Sequence, residues 1–238
     1  MKLEFFSTIA GVAEMFPVLP AKEVIPKWVS ECREDYLKSN KRDIHVFRCP
    51  GIFDLMSTGF VITAWHDIHV EVKPDKLSVT TPDEALNRLS GKPTVGIQEQ
   101  FARFFPKRPW SQKHILKINT PWNVLVPKNL KFMHIPLPFT EFQDFESTMG
   151  IHDPSIASDI NIQGYVNKTV GNIFIKAGTP IVQLVPLSDK TFTHVCRDMN
   201  EKDEKWFRRK KYFDSCTFVL QRNKIKEAYN NFVERRND

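Results

Sequence analysis

From Lys113 to Val195 the sequence passes through one short apolar stretch after another: HILKI, WNVLV, LKFMHI, DINIQGYV, NIFIKA, PIVQLVP and TFTHV, parted by Pro, Gly, Asn and Asp. Stretches this short are strands rather than helices, and turn residues at regular spacing favour a sandwich or barrel over alternating β and α units. Upstream, HVFR (45–48) and GFVITAW (59–65) read as further strands. DIHVEV (67–72) alternates strictly, with Ile68, Val70 and Val72 on one face and Asp67, His69 and Glu71 on the other, as in a half-buried strand. Trp28, Cys32 and Tyr36 recur every four residues behind Pro26 and predict an N-terminal helix. Thr81-Pro82 signals a short helix over 81–90. Two more helices are expected over about 200–212 and 222–236, with CTFVL as a strand between them. The sum is a single domain, 1–238, mainly β (α+β). An antiparallel β-barrel or β-sandwich core occupies about 44–195, and a basic helical segment follows over 197–238.

Glycine narrows the functional field. There are 9 glycines in 238 residues against 19 Phe, 5 Trp and 4 Tyr. A loop that cradles phosphate needs clustered glycines, and neither GxGxxG nor GxxxxGK[ST] occurs. The GxSxG nucleophile elbow is missing too. Cys32, Cys49, Cys196 and Cys216 form no CxxC pair, so free and mostly buried thiols are expected. Glu4 and Glu14 interrupt the apolar N-terminus, unlike a cleavable signal peptide, and no apolar run is long enough to span a membrane. A soluble, cytoplasmic protein with no membrane partner is the expectation, and the sequon Asn167-Lys168-Thr169 is then a chance match.

Charge and histidine spacing supply the candidate sites. Residues 197–238 hold 12 Lys+Arg against 8 Asp+Glu and carry most of the net charge of +6. There Arg208, Arg209, Lys210 and Lys211 follow Trp206-Phe207, a mixture suited to gripping phosphate and stacking on bases. The same residues suit a helix that buries its rings and solvates its cations. Among the 7 histidines, His66 and His69 fall on opposite faces of a strand. Asp67, His69 and Glu71 share a face and form a candidate site for a hard divalent metal, or simply the solvated side of a sheet. Trp65, Trp110 and Trp122, with Phe104 and Phe105, are candidates to line a ligand pocket, or else belong to the core.

Residues 150–186 show a turn rich in acid and proline, a strand, a polar turn, a strand, a tight Ala-Gly-Thr-Pro turn and a last apolar strand. Through Gly150, Asp153, Gly178, Ile181, Gln183 and Leu184 this stretch resembles the end of the dUTPase and dCTP-deaminase fold, and 118–138 resembles an earlier strand, turn and strand of the same fold. The resemblance implies a β-barrel and a nucleotide-hydrolase role for Asp153 and neighbouring His152. The family's serine-containing phosphate motif is replaced here by IPLPFTEF (135–142). Read from the residues alone, Asp153-Pro154-Ser155 is a turn closed by its own aspartate, and Gln183 is a sheet residue satisfying backbone groups.

A second resemblance spans more of the chain. PAKEVIPKWVSE (20–31), CPGIFDLMSTGFVITAWHDIHVEV (49–72), KINTPWNVLVPK (117–128) and IKAGTPIVQLVPLS (175–188) together resemble an uncharacterised protein family of marine tailed bacteriophages and some bacteria. It implies a phage-type accessory protein, binding or structural in character, in the host cytoplasm or the virion. Its expected partners are a second copy of the chain, a virion or host protein, or nucleic acid. The enzyme alternatives are a nucleotide hydrolase through Asp153 and a metal-dependent enzyme through Asp67, His69 and Glu71.

Overall fold

A computed structural model describes residues 1–38, 45–81, 86, 88, 91 and 93–216, without the side chains of 101, 102 and 209–216. The first half holds β1 (Lys2–Ser7), α1 (Val12–Met15), β2 (Leu19–Pro20), α2 (Lys27–Lys38), α3 (Pro50–Ser57), β3 (Phe60–Thr63), β4 (Ile68–Lys73), β5 (Lys76–Thr80), β6 (Val95–Gln98) and α4 (Phe101–Phe104). There follow β7 (Ile115–Leu125), β8 (Phe132–Ile135), β9 (Phe145–Ser147), β10 (Gly150–His152), β11 (Asp159–Val166), β12 (Gly171–Ile175), β13 (Pro180–Pro186), β14 (Thr193–Asp198) and α5 (Glu201–Cys216). The expected helices over 81–90 and 222–236 lie largely or wholly outside the described residues, as does most of CTFVL.

The strands form three sheets. The first runs β14-β1-β7-β11-β9, with β6 also on β7; the second runs β10-β8-β13-β3-β2; the third runs β12-β4-β5. The mainly β expectation holds, and two of its details are corrected. Among the described residues, no sheet closes into a barrel. Nor is the pairing all antiparallel, because β1 runs parallel to β14 while lying antiparallel to β7. All three sheets turn apolar faces into one core, with Phe5, Leu116, Trp122 and Ile162 from the first, Phe60, Ile62, Val182 and Leu184 from the second, and Ile68, Val70, Val72, Ile173 and Ile175 from the third.

HILKI and WNVLV, expected as two strands parted by proline, are one 11-residue strand. Proline lacks the N–H a ladder needs, so Pro121 is tolerated only where pairing already lapses. On one edge of β7, β6 pairs through Ile118 and β1 begins at Trp122; on the other, β11 shifts register between Asp159 and Asn161. Thr120 patches this bulge. Its hydroxyl donates to the Ile160 carbonyl at 2.6 Å and accepts from the Trp122 N–H at 3.2 Å.

β1 is buried on both faces. Phe5 enters the core, and Phe6 packs edge-on against Trp206 of α5 with ring centroids 6.2 Å apart. α5 starts with reciprocal caps: Asn200 Oδ1 accepts from the Asp203 N–H and Asp203 Oδ2 accepts from the Asn200 N–H, each at 3.0 Å. Asp203, fully buried, also pairs with Arg197, which reaches Glu4 of β1 at 3.0 Å. A buried carboxylate needs such partners to stay charged.

HVFR is not a strand but a 3₁₀ turn, Val46–Arg48, leading into α3, where Cys49-Pro50 starts the helix. The expected N-terminal helix is α2, though none of its residues is buried. The thiols differ from expectation as well: Cys49 is exposed, and Cys32 and Cys196 are only half-buried. Burial pushes the Cys196 thiol up to about 11. Among the described residues, no helix is long and apolar enough to cross a membrane.

Two glycines with the same backbone angle separate strain from collision. Gly59 and Gly178 both have φ +84°, where a side chain is disfavoured. A Cβ on Gly59 would overlap the Leu184 carbonyl oxygen and lie 3.0 Å from Pro186 Cδ, whereas a Cβ on Gly178 meets nothing within 4 Å. Gly178→Ala is expected to cost about 1 kcal/mol and Gly59→Ala about 3 kcal/mol or more. Thermal unfolding of the two variants checks the order, with the larger change lowering Tm by roughly 6–12 °C.

Candidate functional site

β8 and β10 pair antiparallel, with Gly150 opposite His134 and His152 opposite Phe132. His134 and His152 are therefore diagonal neighbours on one face of the ladder, and their rings stack nearly parallel, 5.3 Å between centroids and 7° between planes. They line a cavity of about 270 Å³ with Phe105, Thr148, Met149, Ile151, Asn161 and Gln163. Asn161 and Gln163 come from the face of β11 opposite the buried Ile160 and Ile162, next to the bulge. Thr148 is fixed by bonds to the Gln163 carbonyl, its N–H at 2.7 Å and its hydroxyl at 3.2 Å.

The polar chemistry of this cavity is incomplete. Asn161 Nδ2 donates to Asp159 Oδ2 at 2.7 Å, but Asn161 Oδ1 is buried and accepts from nothing. His134 Nε2 is buried without a partner as well. Burial drives the His134 pKa down to about 3, and repulsion from His152 adds to the fall, so this imidazole is neutral at physiological pH. No Asp, Glu, Lys or Arg lines the pocket. It offers hydrogen bonds with no net charge.

The expected site residues are scattered around this cavity rather than gathered in it. Of the catalytic pair, His152 lies in the wall. Asp153 closes its own turn, accepting from the Ser155 N–H at 3.1 Å, and pairs with Lys131 at 3.3 Å while only 8% of its side chain is exposed. Trp65 and Trp122 belong to the core, and Trp65 Nε1 donates to the Asn119 carbonyl. Trp110 is 62% exposed and lines a different cleft, and Phe104 is 86% exposed. The three tryptophans do not form one pocket.

The 67–71 face is a polar surface whose members are individually engaged. Asp67 Oδ1 accepts from the Ala177 N–H at 2.7 Å, His69 Nε2 meets Asn172 Oδ1 at 2.9 Å and its ring stacks on Phe174, and Glu71 pairs with Lys73 at 3.0 Å. Among the described residues, no group of three His, Cys, Asp or Glu side chains is placed to hold a metal ion. Gln183 satisfies backbone, its Nε2 donating to the carbonyls of Leu55 and Thr58 at the end of α3. Arg208 pairs with Glu204 one turn back, and Arg209, Lys210 and Lys211 lie on α5 with undescribed side chains. His134 was missed by sequence reasoning. Its only signal is that it lies two residues from Phe132 in a strand whose partner, β10, was not expected.

An exposed histidine protonates near 6.5, whereas folded His134 stays neutral to about 3, so the unfolded chain takes up the proton first as pH falls. Stability is expected to decline from pH 6.5 downward, with buried His66 shifted in the same direction. His134→Gln flattens the dependence of Tm on pH between 7 and about 5, above the usual carboxylate range. No protein-family model matches the chain, and no curated protein matches it.

Proposed function

We propose that the chain is a phage-type accessory protein that binds a ligand rather than a proven enzyme, and that the imidazole pocket is the binding site. The observation that carries this reading is the pair of buried, unpartnered atoms, His134 Nε2 and Asn161 Oδ1, on two residues that line the cavity. A buried polar group left unsatisfied costs about 1–3 kcal/mol, which a ligand with matching groups recovers. The uncharged lining and the Phe105 and Met149 side chains suit a small neutral ring compound with both a donor and an acceptor on its edge. The phage context rests on the resemblance through 20–31, 49–72, 117–128 and 175–188. With it go a host-cytoplasmic or virion location and a virion or host protein partner. The commitment of Asp153 to Lys131 and its own turn favours binding over hydrolysis. A nucleic-acid role for α5 rests on the charge count of 197–238.

Thermal-shift and calorimetric titration with nucleobases, nucleosides and nicotinamide, each beside a phosphorylated counterpart, tests the reading. A neutral compound is expected to stabilise the protein. His134→Phe or Asn161→Leu is expected to weaken that compound by roughly 10-fold or more, from loss of one hydrogen bond in a dry site. If none of the compounds stabilises the protein and His134→Phe raises Tm, the histidine pair belongs to packing.

A further inference from the structure

A separate cleft of about 520 Å³ is bounded by Trp110, the 136–147 segment, Asn167 and the start of β13. Its rim presents two exposed rings, Trp110 at 62% and Phe139 at 54%. Large rings normally seek burial, and Phe139 is moreover in the left-handed region, φ 57°, where a bulky residue is strained by roughly 1–3 kcal/mol. The strain is held in place from α2: Trp28 Nε1 donates to the Phe139 carbonyl at 3.0 Å, and the two rings meet edge-on at 6.2 Å.

The floor of the cleft is polar and already ordered. Arg108 grips Glu146 through two bonds, 2.7 and 3.0 Å, while its guanidinium lies 3.8 Å from the Tyr165 ring centroid. That pairing holds the Glu146 carboxyl below its ordinary range and keeps it an acceptor. Asn167 Nδ2 donates to the Gln143 carbonyl at 3.1 Å and to Glu146 Oε2 at 3.3 Å, which leaves Asn167 Oδ1 buried and without a partner. The same commitment argues against Asn167 as a glycan acceptor. Ser147, 2% exposed, shares the core-facing side of β9 with Phe145, and its hydroxyl is unpartnered there. Asp144 pairs with Lys168 at 3.7 Å. Charges in and behind the cleft are thus paired, so a ligand is not selected by net charge.

Apolar rings beside a rigid amide and carboxylate match a molecule with an apolar C–H face and an edge of hydroxyls. From this juxtaposition we infer that the cleft binds a neutral saccharide of one or two rings. One face of the sugar stacks on Trp110, and its hydroxyls bond to the Glu146 carboxylate and the Asn167 amide. Phe139 closes the other side of the rim. This site is independent of the imidazole pocket, with which it shares no lining residue.

Tryptophan fluorescence reads the inference, because Trp65, Trp122 and Trp206 are buried, Trp28 is half-buried and Trp110 is the most exposed of the five tryptophans. The full chain is titrated with maltose, lactose and chitobiose, with tetramethylammonium as a cationic probe and nicotinamide as a probe of the imidazole pocket. At least one sugar is expected to shift emission to the blue with saturation. Calorimetric titration, which does not need the Trp110 signal, reads the variants: Trp110→Ala is expected to weaken the sugar at least 10-fold, Trp110→Phe less, and Asn167→Ala several-fold, while His134→Phe leaves it unchanged. The inference is overturned if no sugar alters the emission, if binding survives Trp110→Ala, or if tetramethylammonium alone produces the shift. Loss of nicotinamide binding with sugar binding intact removes only the imidazole-pocket reading.

Discussion

Everything in the larger sheet is hung on β7. One strand meets β11 along one edge and β6 and then β1 along the other, so its backbone groups must serve three neighbours in succession. The handover is possible because Pro121 stands where no donor is required and the Thr120 hydroxyl takes over for the missing ladder. The same irregularity lets β11 enter with Ile160 and Ile162 inward and Asn161 and Gln163 outward. Trp122, just past the proline, is thereby fixed at 1% exposure in the core. The imidazole pocket is a downstream effect of how a proline is accommodated.

What was legible in the sequence was whatever depends on neighbours along the chain. Strict alternation in 67–72 put Ile68, Val70 and Val72 inside, and a glycine at position 178 marked a turn with positive φ. α2 was visible from the spacing of Trp28, Cys32 and Tyr36. Its shallow burial was not, since that depends on what lies beside it. HVFR misled because β-branched and aromatic residues favour strands in general, while Pro50 just beyond starts a helix that tightens the preceding residues into a 3₁₀ turn. β1 gave no turn signal ahead of it, and its apolar residues were read for what they exclude rather than for what they pair with.

The candidate sites were less legible, for a related reason. Tryptophan looks the same in a sequence whether it fills the core, as Trp65 and Trp122 do, or stands at a cleft rim, as Trp110 does. A carboxylate looks equally available whether it is free or committed, and Asp67, Glu71 and Asp153 are each committed to a neighbour. His152 was noticed through the acidic turn that follows it. His134 became significant only once β8 and β10 lay side by side and stacked one imidazole on the other.

The pairing of β1 with β14 has a consequence for how the chain comes to be folded. Lys2–Ser7 take their parallel partners from Thr193–Asp198, and the Met1 amino group reaches the Thr191 carbonyl across a separation of 190 residues. During synthesis, a strand carrying Phe5 and Phe6 therefore waits with one edge unpaired until nearly all of the described chain has been made. Contacts of such long range close slowly, and apolar edges left open meanwhile invite association with other chains. The β1 segment is where a nascent or refolding molecule is most exposed to aggregation, and where a holdase chaperone has most to protect.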